Sequence, residues 1–346
     1  MAITMRQNLR IAAYMLHQRL KRREKFPLVL QLEPLYQCNL ACAGCGKIQH
    51  PKEILARRLT VQQCVDAVEE CGAPIVSIAG GEPLVHTEIG QIVAALVARK
   101  RFVYLCTNAI LMRRKLDLFA PSPYFSWSVH IDGLRERHDE SVCREGVFDI
   151  AIDAIREAKR RGFRVTTNTT FFTQDDAHSI RAVLDFLNDD LQVDAMQISP
   201  GYAYEKAPDQ EHFLGVERTR SIFRDAFADG RRKKWRLNHS PLFLDFLEGK
   251  IDFACTAWSI PCYSVFGWQR PCYLLADGYA SSYQELLEAT DWEHYGRGKN
   301  SRCANCMAHC GYEPTAVVAT MRSPRESLRA FADVLRGAGQ ARALDD

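Results

Sequence analysis

Leu28-Val-Leu-Gln-Leu-Glu-Pro-Leu-Tyr-Gln-Cys38-Asn-Leu-Ala-Cys42-Ala-Gly-Cys45 is a short apolar run followed at once by three cysteines spaced C-x3-C-x2-C. The run reads as a strand, so the loop at its carboxyl end carries three soft ligands. Three thiolates on a tight loop can hold three corners of a [4Fe–4S] cube. The fourth iron is then Lewis-acidic and open to another group. A single zinc ion would need a fourth ligand, for which His50 is available.

Outward from this loop, strand-like and helix-like stretches alternate. Strands are expected at 28–32, 74–78, 102–106, 125–131, 163–169 and 193–199, with helices at 60–71, 87–99, 111–119, 147–161 and 177–187. Six βα units with short connections predict an α/β fold with a parallel sheet, barrel-like or open. The carboxyl ends of its strands form the functional rim. There the sequence places Gly80-Gly-Glu-Pro83, Thr107-Asn108, His130 with Asp132-Gly133, Asn168, and Ser199-Pro-Gly-Tyr202. Singly these are turn and cap residues; together they line a pocket.

The chain has 346 residues, 47% of them hydrophobic and 25% charged, with a net charge of +3, which does not call for nucleic acid. Ile11 to His17 is too short an apolar stretch for a leader or a span, so the expected location is cytoplasmic. Residues 8–25 read as an amphipathic helix with Leu9, Ile11, Ala12, Met15, Leu16 and Leu20 on one side. Its basic end is Arg19, Lys21, Arg22, Arg23 and Lys25. Such a helix either caps the domain or makes a peripheral contact with the inner face of the cell membrane. The units expected are 1–26 (this helix), 27–204 (the βα barrel), 205–323 (a small cysteine-rich C-terminal extension) and 324–346 (a helical tail).

Thirteen cysteines, an odd number, suit metal ligands and buried thiols better than disulfides. A second triplet, Cys303-x2-Cys306-x3-Cys310, implies a second metal site holding an Fe–S cluster or Zn. Cys272 is the expected fourth ligand, Cys255 the alternative and Cys262 an outsider. A hairpin turning at Asp277-Gly278 would bring Cys272 back to the triplet.

The pairing of Cys38, Cys42 and Cys45 with Gly80-Gly-Glu-Pro83 resembles the radical S-adenosylmethionine (SAM) enzymes. The resemblance implies a partial (βα)6 barrel and a [4Fe–4S] cluster on the three cysteines. It further implies SAM bound at the open iron, and an electron donor such as flavodoxin or ferredoxin. Gly80, Gly81, Glu82, Asn108, His130, Asn168 and Ser199 are the candidate contacts to SAM. The two glycines are expected to admit a ligand close to the backbone, and Glu82 to receive its ammonium group. Many members carry an aromatic residue just before the third cysteine, where this chain has Gly44; Tyr36 is one candidate to replace its packing on adenine.

Glu33 to Lys47, Ser77 to Leu84, Tyr104 to Ala109, His138 to Cys143, Ser199 to Glu205 and Phe266 to Leu275 are similar to the adenosylhopane synthase family of hopanoid biosynthesis. That resemblance implies transfer of the 5′-deoxyadenosyl group to the isopropenyl group of diploptene, a triterpene. The product radical then needs a hydrogen atom; Cys106 is the first candidate donor and Cys143 the second. A C30 substrate also requires an apolar tunnel, for which Phe171, Phe172, Tyr202, Tyr204, Phe213, Phe243, Phe246, Phe253, Trp258 and Trp268 are available. Two alternatives remain, a radical SAM peptide maturase and a non-catalytic zinc or Fe–S regulator. The 26 residues before the first strand look too few for a peptide-binding module.

Overall fold

The computed structural model describes residues 4–323. Its strands are β1 (Val29–Glu33), β2 (Ile75–Ile78), β3 (Phe102–Thr107), β4 (Phe125–His130), β5 (Val165–Phe171), β6 (Ala195–Pro200), β7 (Cys262–Ser264), β8 (Gly267–Pro271) and β9 (Ala276–Ala280). They form one sheet in the order β6-β5-β4-β3-β2-β1-β7-β8-β9. The first six run parallel, as the alternation predicts, and β7 adds parallel to the free edge of β1. The antiparallel β8 and β9 then extend the sheet from the C-terminal half of the chain.

The helices are α1 (Met5–Leu20), α2 (Lys52–Leu55), α3 (Val61–Cys71), α4 (Ile89–Ala98), α5 (Met112–Lys115), α6 (Arg135–Ser141), α7 (Val147–Arg160), α8 (Ala177–Asp185), α9 (Val216–Phe227), α10 (Pro241–Leu247), α11 (Tyr283–Ala289) and α12 (His309–Arg322). Local chemistry sets their ends. Thr60 and Gln63 close a capping box at the start of α3, and Gly72 ends that helix in the left-handed region. Asp176 and Ser179 do the same for the start of α8.

Strand alternation divides the sheet chemically. Leu30, Leu32, Val76, Ile78, Val103, Leu105, Trp127 and Val129 all enter the main apolar core with the helices. Their alternates Gln31, Ser77, Tyr104, Cys106, Ser126 and Ser128 take the opposite face, so the inner side of the sheet is polar. A two-residue period thus separates the layer that holds the fold from the layer that meets a ligand.

Several expectations change. The helix at 111–119 is only α5 followed by a tight turn at Leu116–Leu118, with Met112 and Leu116 buried and Leu118 exposed. The β8–β9 hairpin turns at residues 272–275, and Asp277-Gly278 lies inside β9. Cys272 therefore sits on the turn itself. The apolar side expected for α1 divides: Met15 is buried, while Leu9, Leu16 and Leu20 face outward. The expected tail at 324–346 lies outside the described residues.

Candidate active site

Gly80 and Gly81 end β2 beneath the segment that leads into the cysteine loop. Gly80 has φ +103°, and a Cβ there would come within 2.3 Å of the Leu35 carbonyl oxygen; one on Gly81 would come within 2.2 Å of that of Gln37. The amides of Gly81 and Glu82 donate to those two carbonyls at 3.0 and 2.9 Å. The chain itself thus comes close to both glycines on the side where a Cβ would stand. They lock the cysteine loop onto β2.

Glu82 completes the lock. Its carboxylate is 1% exposed and accepts from the Leu84 amide at 3.0 Å, the Thr107 hydroxyl at 2.8 Å and the Asn108 amide at 2.8 Å. Burial pushes its pKa up to about 6, against the pull of those amides. Asn108 in turn donates to Asn39 at 2.7 Å and lies 3.9 Å from Cys38 Sγ. Cys38, Cys42 and Cys45 are half-buried, and burial raises the pKa of all three thiols, Cys38 to about 11. Thiolates here need a strongly positive partner, which an iron–sulfur cluster supplies.

Further along the rim, Asp132 bonds His130 at 2.8 Å and accepts from the Thr170 amide at 2.8 Å and the Ser141 hydroxyl at 3.2 Å. Burial opposes charge on His130, but the Asp132 carboxylate prevails and its pKa stands above the usual value. His138, whose pKa burial lowers to about 4, accepts the Asp132 amide at 3.2 Å and stays neutral. Two rim atoms, Asn39 Nδ2 and Asn168 Oδ1, are buried with no hydrogen-bond partner. Unsatisfied donors and acceptors of this kind fit a polar ligand that carries both. Ser199 is buried, its hydroxyl 3.2 Å from the Pro200 carbonyl oxygen.

The space beside Gly44 is filled from elsewhere in the chain. A Cβ on Gly44 would lie 3.3 Å from the Phe172 ring and 3.6 Å from that of Phe213; the two ring centroids are 5.8 Å apart. Tyr36, the candidate named for that role, is 2% exposed and instead stacks on His50 at 5.0 Å. His50 is held there, and among the described residues no three Cys, His, Asp or Glu side chains close around a single ion. A cubane, which spreads its ligands over separate irons, requires no such convergence.

Cys106 lies on the inner face of β3, 3.5 Å from the Ser77 hydroxyl, with burial raising its pKa. Cys143 is exposed, in the turn after α6. Six of the ten residues expected to line a tunnel pack elsewhere. Phe171, Phe243, Phe246 and Trp268 are fully buried core, Phe253 packs on Phe246, and Trp258 packs on Phe26. Only Phe172, Phe213, Tyr202 and Tyr204 of that group lie against the two cysteine-bearing regions.

In the extension, one small pocket is lined by five thiols: Cys255, Cys272, Cys303, Cys306 and Cys310. Cys262 is on β7 beside Glu33 and does not line it. Sequence reasoning missed the tie between the two cysteine regions. Lys47, two residues past Cys45, pairs with the buried Glu33 at 2.9 Å and donates to the Tyr273 carbonyl at 3.0 Å, next to Cys272. Its only sequence signal is a lysine just after the triplet.

Residues 32–187 match the Radical SAM superfamily, and residues 196–330 match a domain of unknown function, DUF3463. The mycofactocin maturase MftC of Mycolicibacterium smegmatis is 30% identical over 141 residues, 40% of this chain and 36% of that protein. The Fe-coproporphyrin III synthase of Methanosarcina barkeri is 24% identical over 159 residues, 44% of this chain and 39% of that protein. The chain thus spans under two-fifths of the length of these relatives. Streptococcus suis SuiB bound to S-adenosylmethionine shares the fold with a TM-score of 0.65 at 18% identity, over 88% of this chain and 77% of that one. The anSMEcpe structure with bound AdoMet gives 0.58 at 19% identity, over 78% and 79%.

Proposed function

We propose that this radical SAM enzyme joins the 5′-deoxyadenosyl group to the isopropenyl carbon of diploptene, giving adenosylhopane. When bound, the [4Fe–4S] cluster and SAM supply the 5′-deoxyadenosyl radical. The chain's own residues do the rest. Cys38, Cys42 and Cys45 hold the cluster, and Glu82, Asn108, His130, Asn168 and Ser199 present polar groups to SAM. The observation that carries the reading is Cys106, a thiol kept protonated by burial on the inner face of the sheet.

Addition to an alkene leaves a carbon radical that must gain a hydrogen atom. The S–H bond of Cys106 breaks, the new C–H bond forms, and the resulting thiyl is restored by one electron from the external donor and one proton from water. A peptide maturase is the second reading, favoured by the 30% identity to MftC and by the cysteine-rich extension.

The test is an anaerobic reaction with SAM, a reductant and diploptene, followed by mass analysis. A product of mass equal to diploptene plus 5′-deoxyadenosine is expected, and Cys106→Ala should lose it while still releasing 5′-deoxyadenosine. Unchanged diploptene beside free 5′-deoxyadenosine from the native enzyme would overturn the substrate, and an undiminished yield from Cys106→Ala would overturn the donor.

A further inference from the structure

Helix α1 is packed inside out for a helix on a soluble surface. Gln7 and Gln18 are 4% and 5% exposed, while Leu9, Leu16 and Leu20 are 65%, 57% and 74% exposed, with Met5 at 37%. The inward side is anchored. Tyr104 donates to Gln7 at 3.0 Å, Tyr14 donates to the Pro27 carbonyl at 2.7 Å, and Met15 packs with Phe26 and Leu28. The outward leucines are therefore not a misplaced core face. At 100° per residue, positions 5, 9, 16 and 20 fall within about 60° of one another, so the four side chains form one stripe along the helix.

The charge around the stripe is of one sign. Arg6 and Arg10 flank it on one side and Arg19 on the other, and Lys21, Arg22, Arg23 and Lys25 follow the helix end, all exposed. No Asp or Glu occurs before Glu24. A second copy of α1 laid on this stripe would set these basic rims against each other. An apolar stripe bordered by cations fits acyl chains below anionic headgroups.

The geometry points to α1 as a docking helix that lays Met5, Leu9, Leu16 and Leu20 into the interface of an anionic lipid bilayer. This inference stands apart from the substrate proposed above, since it concerns only where the protein sits. No helix among the described residues is long and apolar enough to cross a membrane, so the contact lies in the plane of the surface.

Cosedimentation of the full chain with phosphatidylglycerol-rich and with purely phosphatidylcholine vesicles tests it. The protein should partition onto the anionic vesicles, weakly onto the neutral ones, and less as salt rises. Combined Leu9→Glu, Leu16→Glu and Leu20→Glu should cut partitioning by about tenfold or more, with the near-UV circular dichroism and SAM binding unchanged. A single Leu16→Trp should shift its emission to the blue on anionic vesicles. The inference is overturned if the native chain stays in solution. It is equally overturned if the triple variant partitions like the native chain, or if Leu16→Trp shows no shift.

Discussion

Phe172 and Phe213 lie beside the place where a side chain at position 44 would start, and we propose them as the wall for the adenine of SAM. Stacking on a nucleobase is worth about 1–3 kcal/mol, so Phe172→Ala should weaken SAM binding by roughly tenfold or more, measured by equilibrium dialysis of the reconstituted protein. A side chain at Gly44 would press on the Phe172 ring, which lies only 3.3 Å from where its Cβ would stand. Gly44→Phe should therefore weaken binding alone and recover part of it when combined with Phe172→Ala. Glu82 gives a pH signature. Its folded pKa, raised to about 6 by burial, means that the carboxyl takes up a proton as pH falls through that value. Its pull on an ammonium group is then lost, so SAM affinity should fall between about pH 7.5 and about pH 5.5. Glu82→Gln should bind weakly and flatly across that range; a native profile that is equally flat would remove Glu82 from the binding step.

The cysteine loop is an element held from both sides. The β2 end grips it through Gly80, Gly81 and Glu82, and Lys47 ties its far end to Glu33 on β1 and to the β8–β9 turn. Breaking a buried ion pair by removing one partner commonly costs about 3–5 kcal/mol, because the other charge is left unpaired. Lys47→Met should lower the unfolding free energy by roughly that amount in denaturant titrations, and Lys47→Met with Glu33→Gln by less. Equal losses from the two would mean that the pair carries no such coupling. The elements themselves were legible in the sequence because periodicity and caps are local: Thr60 to Cys71 and Phe125 to His130 are found where they were expected. What could not be read is long-range. Neither the partner of Gly81, the filling of the space by Gly44, nor the reach of Lys47 to Tyr273 across 226 residues is encoded near the residue concerned. Six of the expected tunnel residues pack elsewhere for a related reason, since aromatic residues in a sequence do not say whether they line a space or fill it.

At the scale of the whole molecule, the extension continues the barrel sheet instead of forming a separate body. Because β7 pairs with β1, the turn bearing Cys272 is brought beside the loop bearing Cys45, and the five thiols of the extension gather from three remote segments: the Cys255 loop, that turn, and the stretch from Cys303 into α12. Four of the five cysteines stand in loops or turns and Cys310 in the first turn of α12, so a metal centre that joined them would contribute folding free energy directly. If that centre is an Fe–S cube, the reconstituted chain should hold about eight irons, against about four for the variant with all five of these cysteines replaced by alanine. That variant should keep a reduced-cluster electron paramagnetic resonance signal that SAM perturbs, since Cys38, Cys42 and Cys45 are intact. It should also melt at a lower temperature than the native holoprotein, and its melting should respond less to chelators. Loss of one zinc per chain with no change in iron would assign the five-thiol cavity to zinc. Unchanged iron, zinc and melting temperature would show that these cysteines bind no metal and that the extension is held by its apolar core alone.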